Sequence, residues 1–134
     1  MKINHIGILV DDIDKAINKY KILGYVLDGE LVNDTDRNIY IQFMKNDGYR
    51  VELICEMDKE KMSPAKSIGR QIKISNYKMY HICYEVEDLE VAIADLETKG
   101  YQVLVPRQKA IAFDNRNVVF MYEPDVGMIE LVEE

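Results

Sequence analysis

An α+β fold built from two copies of one βαβββ unit is what this 134-residue sequence predicts. Three observations predict it. First, the run His5-Ile-Gly-Ile-Leu-Val-Asp-Asp-Ile-Asp-Lys-Ala-Ile17 aligns with His81-Ile-Cys-Tyr-Glu-Val-Glu-Asp-Leu-Glu-Val-Ala-Ile93, 81 − 5 = 76 positions later. Second, the same offset carries Gly24-Tyr25 onto Gly100-Tyr101. Third, Val51-Glu52-Leu53 falls on Ile129-Glu130-Leu131 at an offset of 130 − 52 = 78, so the two halves differ only slightly in loop length. A fixed self-similarity over a whole half-chain is the mark of a duplicated structural unit.

Within each copy the elements follow from periodicity and punctuation. Ile3–Val10 alternates as a strand, with Ile6, Ile8 and Val10 on one face and His5 and Gly7 on the other. Asp12 is suited to cap a helix on which Ile13, Ala16, Ile17 and Tyr20 recur at helical spacing, and Gly24 is suited to end it. Tyr25–Leu31, Ile39–Lys45 and Arg50–Cys55 are expected as strands, the last two joined by an Asn46-Asp47-Gly48 turn. In the second copy, Met79–Val86 is a strand and Leu89–Lys99 a helix between Asp88 and Gly100. Strands are then expected at Tyr101–Val105, Val118–Tyr122 and Met128–Val132, with Ala110–Phe113 as an edge piece. The organisation is one domain over 1–134: a first module at 3–56, a linker at 57–78 where Ser63-Pro64 starts a short helix, and a second module at 79–134.

Composition narrows the function classes. Hydrophobic residues make up 48% and charged residues 31%, a globular balance rather than a disordered one. No apolar run reaches the roughly 18 residues that a membrane helix needs, and the N-terminal residues enter a strand pattern rather than a leader pattern, so a cytoplasmic setting is expected. The net charge is −7 with Lys and Arg scattered, which argues against nucleic acid. Cys55 and Cys83 lack metal-finger spacing and are expected as buried free thiols.

Strand alternation identifies the chemistry. Val51 and Leu53 share one face and Arg50, Glu52 and Ile54 the other; Ile129 and Leu131 likewise oppose Glu130, and Ile82, Tyr84 and Val86 oppose His81 and Cys83. Each strand thus turns an apolar face to its helix and its His or Glu to the opposite face. Both histidines of the chain occupy the repeated position. If the two sheets curve to share that face, His5, Glu52, His81 and Glu130 converge as two imidazoles and two carboxylates, a donor set for Zn, Ni, Co, Mn or Fe. Two carboxylates buried together repel and protonate, and a divalent cation neutralises both.

These repeated His and Glu positions, over nearly the whole chain, resemble the vicinal oxygen chelate (glyoxalase/bleomycin resistance/dioxygenase) superfamily. The resemblance implies a cupped mixed sheet, a half-open barrel with helices outside, and places His5, Glu52, His81 and Glu130 on the family's four metal-ligand positions. Ser63-Pro64-Ala65 and Tyr80-His81-Ile82-Cys83-Tyr84-Glu85-Val86 look most like methylmalonyl-CoA epimerases. Glu52 stands where such epimerases often carry Gln and glyoxalase-type enzymes often carry Glu, and the ending Glu123–Glu130 is nearer the glyoxalase length. The strand around Gln42 carries no extra carboxylate.

The reaction implied is metal-assisted proton transfer α to a carbonyl, with Glu130 as first choice of base and Glu52 as its partner on the opposite face. The implied substrate is an acyl-CoA thioester or, for a lactoylglutathione lyase, a glutathione hemithioacetal. Arg50, Lys66, Arg70, Lys73 and Lys78 are the prospective cationic handles for its phosphates or carboxylates, though each fits a solvated surface better. Tyr80 and Tyr84 are expected to pack rather than catalyse. A non-catalytic bleomycin-resistance-type binder and an extradiol dioxygenase rank lower, because all four donor positions are filled, Trp is absent and the chain is short. A homodimer is implied by the resemblance.

Overall fold

The computed structural model describes residues 1–63 and 78–134. The helix expected from Ser63-Pro64 therefore lies, beyond Ser63, outside the described residues, as do Lys66, Arg70 and Lys73. The chain forms two compact units: Ile6–Tyr80, and Met1–His5 together with His81–Glu134. The opening residues of the first strand thus group with the second repeat. Among the described residues both units are α+β, each an open mixed sheet carrying one helix, as the repeat predicts.

The Ile6–Tyr80 unit takes the greater part of β1 (Lys2–Leu9), then α1 (Ile13–Ile22), β2 (Val26–Leu27), β3 (Val32–Asp34), β4 (Ile39–Asn46) and β5 (Tyr49–Glu56). Its sheet order is β2-β4-β5-β1, with β3 also paired to β4. β1 runs parallel to β5, pairing Ile6 with Val51, Gly7 with Glu52 and Ile8 with Leu53. The hairpin between β4 and β5 closes on two residues, Asp47 at φ 48° and Gly48 at φ 84°. Positive φ at both central positions is the turn whose twist matches that of the flanking strands.

The strand expected over Tyr25–Leu31 is instead two pieces. Leu27 pairs with Met44 and Val32 with Ile41, so five steps on one side face three on the other. Gly29 sits in the gap at φ 87°, and Gln42 Nε2 donates to its carbonyl at 3.0 Å. Gln42, which carries no acid–base function, bridges the interrupted ladder.

The second unit takes most of β6 (Met79–Val86), then α2 (Leu89–Glu97), β7 (Gln102–Ala110), a 3-10 turn at Ile111–Phe113, β8 (Arg116–Glu123) and β9 (Gly127–Glu133). Its order is β6-β9-β8-β7, with β6 parallel to β9. β7 runs past the expected end at Val105 through Pro106, absorbing the first residue of the expected edge piece. Pro106 lies within the second of two register shifts, Val103/Val105 and Val105/Gln108. A proline has no N–H for the ladder and is tolerated at such irregularities and on an edge strand.

The helices repeat one design. Asp12 accepts from the Lys15 N–H at 3.1 Å and Asp88 from the Val91 N–H at 3.0 Å. Each cap satisfies a helix-terminal N–H that has no partner within the helix. Gly24 at φ 95° and Gly100 at φ 94° then turn the chain where a side chain is strained. α1 covers Met44, Val51, Leu53 and Cys55, while Leu89 and Leu96 of α2 pack with Val119, Met121, Ile129 and Leu131. Burying each Leu fully contributes about 1.5–3 kcal/mol. The alternation read from sequence therefore holds: the helix faces are apolar, and the Glu residues point away from them.

Candidate metal centre

The parallel pairing of β6 and β9 sets Cys83 opposite Glu130, between the Ile82–Ile129 and Tyr84–Leu131 pairs that face α2. Glu130 therefore lies on the sheet face of His81, two residues before Cys83. His5 joins this unit from the start of β1. The three side chains converge: His5 Nε2 lies 3.0 Å from His81 Nε2, and Glu130 Oε2 lies 3.4 Å and 3.2 Å from the same two nitrogens. All are enclosed, with His5 1%, His81 2% and Glu130 2% exposed. The thiol of Cys83 lies close by, since His5, Cys83 and Glu130 each offer a ligand atom within 4.8 Å of the others.

Aromatic rings pack against both imidazoles. Phe113 stacks on His5 with ring centres 5.6 Å apart, and Phe120 meets His81 edge-on at 5.4 Å. Arg116 lies over the outer ring, its guanidinium carbon 5.4 Å from the Phe113 centre. The apolar packing excludes water and strengthens every charge interaction inside. Burial by itself pushes the Glu130 carboxyl up, but hydrogen bonds to His5 and His81, and the charge either ring carries when protonated, outweigh it and hold the group well below its ordinary 4.5.

The donor atoms fit a divalent ion. Three ligand atoms lying 3.0–3.4 Å from one another need a positive centre among them, either a proton or a metal. Around an ion with bonds of about 2.1 Å, neighbouring donors lie about 3.0 Å apart in octahedral and about 3.4 Å apart in tetrahedral geometry. The observed spacings span that range, and imidazole with carboxylate suits the borderline metals.

Glu52 is placed in the Ile6–Tyr80 unit, 4% exposed, opposite Gly7 on β1 and Phe43 on β4. Gly7 stands two residues after His5, as Cys83 stands two after His81, so both Glu residues occupy one register position of the repeat. Arg50 pairs with Asp28 at 2.9 Å and lies 3.8 Å over the Phe43 ring, and Lys78 pairs with Asp11 at 3.5 Å. Tyr84 packs against the α2 cluster, as expected. Cys55 and Cys83 are both buried and not joined in a disulfide.

Sequence reading missed the aromatic surroundings, although a signal for part of them exists. Phe43-Met44 and Phe120-Met121 are a further matched pair, 120 − 43 = 77 positions apart. Phe43 faces Glu52 and Phe120 faces Glu130 across their ladders. Phe113 has no such counterpart; only the chain path places it on His5. A hollow lined by Asp14, Ile17, Lys21 and Leu31 lies beside α1 and carries none of the residues of the centre. Among the described residues, no helix is long and apolar enough to cross a membrane.

Comparison with known proteins adds three kinds of likeness. Residues 4–120 match the model of the Glyoxalase/Bleomycin resistance protein/Dioxygenase superfamily. The mitochondrial methylmalonyl-CoA epimerase of Homo sapiens is 30% identical over 98% of this chain and 72% of its own length. The ethylmalonyl-CoA/methylmalonyl-CoA epimerase of Cereibacter sphaeroides is 26% identical over 97% of this chain and 96% of its own. Among solved structures, the methylmalonyl-CoA epimerase of Mycobacterium tuberculosis superposes with a TM-score of 0.76 at 25% identity, over 98% of this chain and 87% of that one.

Proposed function

The chain belongs to the Glyoxalase/Bleomycin resistance protein/Dioxygenase superfamily, and from that premise we propose that it is a divalent-metal-dependent epimerase acting on methylmalonyl-CoA or a close acyl-CoA relative. The observation that carries the reading is the convergence of His5 Nε2, His81 Nε2 and Glu130 Oε2 within 3.4 Å inside a water-poor, aromatic-lined enclosure. The names of the relatives supply the substrate class.

In this proposal His5, His81 and Glu130 hold the metal, and Glu52 is the fourth donor on the strength of its matching register. The bound ion, of a kind left open among Zn, Ni, Co and Mn, supplies Lewis-acid stabilisation for negative charge that builds on the substrate carbonyl as its α-proton leaves. Glu130 takes that proton at its carboxylate, Glu52 in its carboxylic-acid form gives its own to the opposite face, and proton exchange with solvent restores both groups. Two imidazoles that hold Glu130 ionised keep it ready to accept, but also make it a weak base. Its contact with them must therefore loosen when substrate arrives. Phe113 and Phe120 keep bulk water from quenching the proton-transfer step. A homodimer and a cytoplasmic setting belong to the same proposal.

The test incubates metal-loaded protein in D₂O with methylmalonyl-CoA and, separately, with the methylglyoxal–glutathione hemithioacetal. Deuterium is expected at the α-carbon of the CoA ester alone. Exchange or product only with the hemithioacetal overturns the epimerase reading in favour of a lactoylglutathione lyase. Glu130→Gln is expected to lower turnover about 10²–10⁴-fold while the protein still takes up Zn²⁺ or Co²⁺. Undiminished exchange in that variant removes Glu130 from the acid–base role, and undiminished exchange after chelation removes the metal.

A further inference from the structure

We propose that Asn4 and Glu85 form a relay that sets the tautomer of His5, so that its Nε2 presents a lone pair toward the centre; the inference rests on the metal-centre reading above. Asn4 Nδ2 donates to Glu85 Oε1 at 2.6 Å, and Asn4 Oδ1 lies 2.8 Å from His5 Nδ1. Each link dictates the next. A carboxylate only accepts, so the Asn4 side chain must offer its NH₂ to Glu85. The reversed amide would set oxygen against oxygen at 2.6 Å, so its orientation is determined rather than free. The carbonyl oxygen left facing His5 can only accept, so Nδ1 must carry the proton. Neutral imidazole holds one ring proton; with Nδ1 protonated, Nε2 is the donor atom. That is the nitrogen that points at His81 and Glu130.

The device takes one residue from each repeat and is not itself repeated. Seventy-six positions on from Asn4 stands Tyr80, and as many before Glu85 stands Leu9, so the amide and carboxylate have no counterparts around His81. Asn4 and Glu85 are each half-buried, where a hydrogen bond to a charged group is shielded from solvent without the cost of burying a lone ion. Asn4 is thus a positioning residue acting through His5, and Glu85 acts through Asn4. Partners of this kind on a ligating histidine fix its tautomer and ring orientation, and their loss typically weakens metal affinity about 10–100-fold.

The experiment compares wild type, Asn4→Ala and Glu85→Gln by long-range ¹H–¹⁵N NMR of the metal-free protein at about pH 8, above the ordinary imidazole range, and by Zn²⁺ titration against a competing chelator. With only two histidines, the ring nitrogens give a short spectrum to assign. His5 in the wild type is expected to be protonated at Nδ1. Asn4→Ala should move part of that population to Nε2 and weaken Zn²⁺ about 10–100-fold. Glu85→Gln, a milder change whose amide can turn either way, should shift both readouts in the same direction by less. An Nε2-protonated His5 in the wild type, or a tautomer unmoved in both variants, overturns the relay even if affinity falls. A wild type that ignores Zn²⁺ but shows the tautomer shift upholds the relay and overturns the metal-centre reading instead.

Discussion

In the first repeat the chain leaving α1 breaks into two short strands around Gly29, whereas in the second β7 runs 9 residues through Pro106 with two shifts of register on the way. Elsewhere the repeats agree closely. The capping Asp12 and Asp88 have φ of −142° and −134° with the same ψ of 114°, and the glycines that end the helices differ by one degree. The agreement lies where local rules hold the chain: an N-cap, a left-handed glycine, a strand facing its helix. The divergence lies on the strand after the helix, where a neighbour is paired on one side and an extra residue or a proline costs little. The surroundings of the histidines diverge too. Gly7 matches Cys83, Asn4 matches Tyr80, and Leu9 matches Glu85, so matched donors sit among unmatched supports.

The largest effect expected from this comparison is in the cores. Leu53 and Leu131 occupy the same repeat position and are both wholly buried against their own helix cluster. Replacing either by Ala should cost about 2–5 kcal/mol in denaturant melts. A loss below about 1 kcal/mol at one of them would break the likeness of the two cores.

A smaller effect separates the glycines. A methyl group on Gly24 would meet Asn46 Nδ2 at 3.3 Å, while one on Gly100 meets nothing within 4 Å. Asn46 also donates to the Leu23 carbonyl at 3.1 Å, closing the end of α1. Both Ala variants should lose about 1–2 kcal/mol from the left-handed backbone, and Gly24→Ala should lose more, through Asn46. Equal melting temperatures would show that Asn46 yields freely.

The smallest effect concerns Glu133, which has Cys55 as its repeat counterpart. Its carboxylate accepts from Asn117 Nδ2 at 2.9 Å and from the Leu89 N–H at 3.3 Å, and these bonds, Asn117 first, lower its pKa from 4.5. A lowered carboxyl adds stability above the unfolded value, and the gain disappears as pH falls through the folded one. Wild type should therefore melt above Glu133→Gln at neutral pH, with the two curves closing as pH drops below 4.5. A gap that persists in acid would assign the difference to packing.

Much of the architecture was legible because its signals are local and occur twice. The two helix starts, the two glycine stops, the Asp47-Gly48 hairpin and strand β6 stand where periodicity put them. The faces of Glu52 and Glu130 followed from alternation alone. The split of β2 from β3 was not legible, because Gly29 interrupts a strand only when β4 supplies Gln42 to bridge the gap. Nor was the reach of β7 past Pro106, since a proline stops a central strand and not an edge one. Phe113 and Phe120 escaped notice because aromatic residues in strands are ordinary and their target is not a sequence neighbour.

The identity of the donor residues and the side of the sheet they occupy were written in the chain, since a two-residue period and a duplicated motif need no folding to be read. The distances of 3.0–3.4 Å among His5, His81 and Glu130, the rings against them and the amide that orients His5 belong to the fold. They depend on strand register and on pairings between residues as many as 130 − 5 = 125 positions apart. Such long-range contacts are chosen by packing as a whole, and no local pattern encodes them.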